Sequence, residues 1–188
     1  MSSSYLYGAQ VHANGIRQHY LRYGGSDGMR AGRDAVVILP GITSPAVTWG
    51  FIGERFGRVF DTYIVDIRGR GLTEAADAMD YSLDAQATDT LAVVKALGLK
   101  RYALVGHSMG GRIVIRAARN ADAALTRVVA VDPPVSGPGR RAYPAKLPRY
   151  VDSIRQARQG ISLEQMRSFC PTWTDEQVRL RAEWLHTC

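Results

Sequence analysis

The sequence predicts an α/β fold, a mostly parallel twisted sheet flanked by helices, with a partial helical cap. Three observations predict it. The short apolar runs AVVIL (35–39), TYIVDI (62–67) and YALVG (102–106) have the composition of strands buried on both faces. Helical patterns lie between and after these runs, and strands that alternate with helices build a right-handed parallel sheet. Beyond residue 133 only helical patterns remain.

Taken in order, residues 5–13 and 16–23 predict two strands joined at Asn14-Gly15, a pair that suits a tight hairpin turn. They add an antiparallel edge to the sheet. Residues 24–28 predict a loop, and residues 46–57 a short helix. A longer helix is predicted over 82–97. Ser82 serves as its N-cap, Leu83, Ala87, Leu91, Val94 and Leu97 share a face, and Gly98 stops it. A third helix follows over 109–120. The run RVVAVD (127–132) predicts a further strand that ends at Pro133-Pro134. Residues 133–148 hold five prolines and two glycines and read as a linker. Helices are expected over 149–159, 162–169 and 174–186, with Ser162 and Thr174 as caps. The expected division is a core over 1–132, a linker over 133–148 and an incomplete cap over 149–188.

At 188 residues the chain is long enough to bury one substantial core. It holds no apolar run of 18 residues, so a membrane-spanning helix is not expected. The first residues lack the pattern of a secretory signal, which makes the cytoplasm the default location. Cys170 and Cys188 have neither metal-ligand nor redox spacing. The net charge of +7 raises the question of nucleic acid, yet the basic residues are scattered among acidic ones without interleaved aromatics. From Arg140 onward nine Lys/Arg stand against five Asp/Glu, a local charge of +4. That excess is either a solvated face or a field favouring an anionic small molecule. No single arginine stands out as its receptor.

Gly106-x-Ser108-x-Gly110 carries the chemistry. Between a buried strand and a helix, small residues let the chain turn sharply and expose the Ser108 hydroxyl as a nucleophile. The Met109 N–H then points at the oxyanion position, helped by the helix N-terminus. Leu39-Pro40-Gly41-Ile42-Thr43 follows the AVVIL strand, where a second oxyanion donor is expected, here the Ile42 N–H. Asp132 ends the next strand, 24 residues after Ser108, and could orient a histidine. Its alternative is to cap the turn before the two prolines. Asp66, in DIRGRG, reads as structural, through an Asp–Arg pair.

The histidines fit poorly. His12 and His19 belong to the leading hairpin, which is expected to lie far from the strand tops. His107 adjoins Ser108, but neighbouring side chains at such a turn point apart, so it is expected to line or pack the pocket. His186 falls in the cap. None is placed to take the Ser108 proton.

LPGIT, DIRGRGLT and GHSMGG, in this order, resemble the α/β-hydrolase superfamily, and the resemblance covers essentially the whole chain. Within it, HANGIRQHYLRYGG and VDPPVSGPGRRAYP are similar to deformylases of nicotinate degradation. The resemblance implies a serine hydrolase that cleaves a formyl C–N bond by acyl transfer. Ser108 would be nucleophile, Asp132 the acid after the sixth strand, and Ile42 and Met109 the oxyanion donors. It implies no metal or cofactor, and neither nucleic acid nor membrane as partner. The family carries its histidine after an eighth strand, so two further strand–helix units of about 30 residues each and the rest of the cap, roughly 70–90 residues in all, are expected to be missing after residue 188. Without the histidine these residues alone are expected to be inactive. Other readings are a carboxylesterase, a C–C bond hydrolase of ring-cleavage products, and, in another class, a non-catalytic binding protein of this fold or an inactive fragment.

Overall fold

The computed structural model describes residues 3–24, 34–135, 138–140, 142 and 147–188. Most of the loop expected over 24–28 and part of the linker expected over 133–148 lie outside the described residues.

One six-stranded sheet organises the chain. Its strands are β1 (Tyr5–Ala13), β2 (Ile16–Tyr23), β3 (Ala35–Leu39), β4 (Asp61–Val65), β5 (Tyr102–His107) and β6 (Leu125–Val131), in the spatial order β1-β2-β4-β3-β5-β6. The leading hairpin is antiparallel and pairs with β4 antiparallel, whereas β4, β3, β5 and β6 run parallel. Asn14 and Gly15 turn the hairpin at φ 53° and 76°, the two positive angles that this tight turn needs.

Every residue of β3 is buried, because strands flank it on both sides and helices cover both faces. One face packs Val37, Leu39 and Leu104 against α2 (Leu83–Ala96) and α3 (Met109–Ala118). The other packs Val36, Ile38 and Ile64 against the 3-10 turn Ala46–Trp49 and α1 (Gly50–Phe56). Burying each such side chain contributes about 1.5–3 kcal/mol. The sheet grows outward from β3 in both directions, so the switch point of this sheet, where ligands usually bind, lies above β3 and β5.

The Ser82 hydroxyl accepts a hydrogen bond from the Ala85 N–H and caps α2, which ends at Gly98 with φ 66°. After the sheet come α4 (Leu147–Arg158), α5 (Leu163–Phe169) and α6 (Asp175–Trp184), closed by a 3-10 turn over Leu185–Thr187. Ser162 with Gln165 and Thr174 with Gln177 form reciprocal capping boxes. Ala157, Met166, Val178 and Leu185 give these helices a small core of their own. Among the described residues no helix is long and apolar enough to cross a membrane.

Two expectations are corrected here. Asp66 pairs with a histidine, not an arginine: Asp66 Oδ2 lies 2.7 Å from His19 Nδ1. The arginines of its loop are engaged elsewhere, Arg68 with Asp89 on α2 and Arg70 with the Ile42 carbonyl. His19 is also not remote from the strand tops. Because β2 runs against β4, with Tyr20 opposite Val65, the hairpin rises past the C-terminal end of β4 and places His19 beside Asp66. Even so, β2 stands three strands from β5, a lateral separation of about 14 Å.

Candidate active site

Ser108 joins β5 to α3 at φ 53° and ψ −116°, a backbone conformation that L-residues seldom adopt. The glycines around it make that turn possible. A Cβ on Gly106 would overlap the Gly110 carbonyl, and one on Gly110 would overlap the Leu39 and Pro40 carbonyls. The Ser108 N–H donates to the Val131 carbonyl at 2.9 Å, so the neighbouring strand fixes the turn from its other side. Among the described residues the Ser108 hydroxyl has no hydrogen-bond partner.

The loop after β3 lies directly against this turn. A Cβ on Gly41 would stand 3.5 Å from Ser108 Cβ and 3.3 Å from His107 Nδ1. Met109 N–H is the first of α3, where no intrahelical acceptor exists. Ile42 N–H likewise has no acceptor among the described residues. Ile42 and Met109 both line a cavity of about 480 Å³, with Leu83, Gln86, Arg112 and Tyr150 around it. The structure thus places the two residues expected as oxyanion donors on one cavity.

Asp132 follows β6 immediately, at φ 44°. The register sets Val131 opposite His107, which puts Asp132 level with Ser108 on the adjacent strand. Its side chain is exposed and has neither hydrogen bond nor ion pair among the described residues. A carboxylate so placed is open to a histidine approaching from solvent.

The four histidines stand elsewhere. His19 belongs to Asp66. His107 packs its ring against Trp49, centroids 5.3 Å apart, and its buried Nδ1 has no partner among the described residues. His186 is exposed in the final 3-10 turn, and His12 pairs across the hairpin with Arg17.

Two arginines hold the Gly41–Ser44 loop. Arg70 Nε donates to the Ile42 carbonyl at 2.7 Å. Arg181, from α6, donates through Nη1 to the Thr43 carbonyl and through Nη2 to Thr43 Oγ1 at 2.6 Å. The Ser44 N–H closes the turn onto the Gly41 carbonyl at 3.1 Å. Three consecutive carbonyls are therefore engaged, which immobilises the peptide planes around the Ile42 N–H. Burial pulls the pKa of both guanidiniums down. Beside them burial pushes the Cys188 thiol up to about 11. DIRGRG drew attention to Arg70, but no local signal marks Arg181, 138 residues from the loop that it grips.

Comparison with known proteins adds the following. The family model for the alpha/beta hydrolase fold matches residues 34–186. N-formylmaleamate deformylase of Pseudomonas putida is 60% identical over 186 residues, which make up 99% of this chain and 67% of that relative. The solved structure of a serine-to-alanine variant of N-formylmaleamic acid deformylase, also from Pseudomonas putida, superposes with a TM-score of 0.87 at 53% identity, over 97% of this chain and 69% of the other. E-2-(acetamidomethylene)succinate hydrolase, at 22% identity and a TM-score of 0.70 over 96% of this chain and 64% of the other, shares the fold.

Proposed function

The chain belongs to the alpha/beta hydrolase fold family, and from that premise we propose that it serves the hydrolytic deformylation of N-formylmaleamate to maleamate and formate. One observation carries the mechanism: the Ser108 backbone held at φ 53° against the Gly41–Ser44 loop. The relative of 60% identity supports the substrate.

In this reading Ser108 Oγ attacks the formyl carbon and yields its proton to a histidine oriented by Asp132. The Ile42 and Met109 N–H groups receive the oxyanion, each donor being worth about 10²–10³ in rate. The tetrahedral adduct collapses with cleavage of the C–N bond. The imidazolium returns the proton to the leaving amide nitrogen, which departs as maleamate. Water then attacks the formyl ester on Ser108 and releases formate. The scheme needs a histidine that His12, His19, His107 and His186 do not supply. Residues 1–132 act as the catalytic core and 149–188 as a cap over it.

The test is formate release from N-formylmaleamate by the native protein, together with covalent labelling by a serine-directed phosphonate. Ser108→Ala should abolish both. Absence of formate from the wild-type protein, or activity retained in Ser108→Ala, overturns the reading.

A further inference from the structure

Among the described residues, Arg181 is a half-buried cation without an anion. Arg22 and Arg68, which also reach into the protein, each face an aspartate: Arg22 stands 2.8 Å from Asp61 and Arg68 is paired with Asp89. Arg181 has no carboxylate within ion-pair distance among the described residues. The end of its guanidinium, Nη1 and Nη2, is committed to Thr43, with Ser44 Oγ a further 3.4 Å contact of Nη1. Its other edge, the Nε–H with the second Nη2 hydrogen, has no acceptor among the described residues. Those two parallel donors match the two oxygens of a carboxylate.

Arg181 belongs to the wall of a cavity. Arg181 lines a space of about 640 Å³ with Thr43, Arg149, Tyr150, Met166 and Cys170. Tyr150 also lines the cavity that Ile42 and Met109 face, and Thr43 directly follows Ile42. The two spaces therefore adjoin at one loop. Asp152 is the carboxylate on the wall, but its side chain is 70% exposed and has Arg155 at 3.8 Å. The cavity keeps an excess of positive charge.

We infer that Arg181 is the receptor for a carboxylate on a small amide substrate, with the scissile carbonyl held on the other side of the loop by Ile42 and Met109. In N-formylmaleamate five bonds separate the formyl carbon from the carboxylate carbon, a reach of about 6 Å. The same guanidinium fixes the loop through Thr43, so binding of the carboxylate and preorganisation of the oxyanion donor share one group. The identity of the ligand rests on the deformylase reading; the demand for an anion does not.

Calorimetric titration of the native protein with maleamate, and with its neutral diamide maleamide, tests this without catalysis. Maleamate should bind about tenfold tighter or more, as a charge-assisted fork implies. Arg181→Gln should bring that preference close to onefold, while Arg149→Gln should retain it. Melting curves check that each variant is folded. If Arg181→Gln does not fold, Arg181→Lys replaces it: a preference cut severalfold supports the assignment, and an undiminished one overturns it. Equal binding of the two ligands by the wild type, or a preference that survives Arg181→Gln, also overturns it. Formate release measured in parallel separates the two readings. Activity without the maleamate preference removes only the carboxylate receptor, and preference without activity removes only the deformylase.

Discussion

His19 Nδ1 and Asp66 Oδ2 lie 2.7 Å apart, both side chains buried, so the carboxylate at the end of β4 ties the leading hairpin to the parallel sheet. Asp66 Oδ1 also accepts the Ala46 N–H at 2.6 Å, and Oδ2 the Leu72 N–H at 3.1 Å. One carboxylate thus joins β2, the 3-10 turn before α1 and the loop after β4. Asp66→Ala leaves the buried His19 and Ala46 donors unmatched and should cost about 3–5 kcal/mol. Asp66→Asn, which keeps an acceptor, should cost less. Urea denaturation of both variants measures the difference.

Ser108 holds its φ of 53° at the expense of stability. Glycine adopts that conformation freely, whereas alanine remains strained. Ser108→Gly should therefore be more stable than Ser108→Ala by about 1–3 kcal/mol, although neither has a nucleophile. Equal melting temperatures would show that the turn is not strained.

Gly110 and Gly98 provide a contrast between crowding and backbone strain. A Cβ at Gly98 meets nothing within 4 Å, so Gly98→Ala should cost only the left-handed conformation, about 1–2 kcal/mol. A Cβ at Gly110 runs into the backbone of β3, which cannot move aside without disturbing the sheet. Gly110→Ala should cost several times more, seen as loss of soluble folded protein.

Stability should fall in alkali. Burial pushes the Tyr23 hydroxyl up to about 12 from its ordinary 10.0 and the Cys188 thiol to about 11 from 9.0, and it raises Tyr63 further still. In each case the fold favours the neutral form. The stability this contributes is complete below the ordinary value and is lost as pH rises through the folded one. The urea midpoint should hold steady from pH 7 to about 9 and decline between about 9 and 12. Tyr23→Phe should make that decline shallower.

β6 is an edge strand of the sheet, bonded to β5 on one side only among the described residues. Val128, Val129 and Val131 are 38%, 47% and 46% exposed along it. An apolar open edge favours pairing between copies. Light scattering of these 188 residues alone should show association that grows with concentration, and Val129→Lys should reduce it.

The strands and helices were readable from sequence because their causes are local. Alternation at Asn14-Gly15, the unbroken apolar run AVVIL and the caps Ser82, Ser162 and Thr174 act within a few residues of chain. The glycines around Ser108 also told in advance that the serine sits on a sharp turn, since no larger residue passes there. The placing of Ile42 and Met109 on one cavity follows from the order of β3 and β5. Partner choice was different. DIRGRG offered Asp66 two arginines close by, yet its partner is His19, 47 residues away. The reason is that antiparallel pairing carries β2 past the end of β4, while Arg68 reaches α2 and Arg70 the Ile42 carbonyl. Arg181 is the extreme case, for its role exists only where α6 crosses the loop after β3. Sequence by itself determined the elements and the sharp serine turn, because propensity, capping and steric room are properties of neighbouring residues. Tertiary structure alone decided which buried charges meet, because ion pairs and hydrogen bonds depend on distances of a few ångströms between side chains that the chain order leaves far apart.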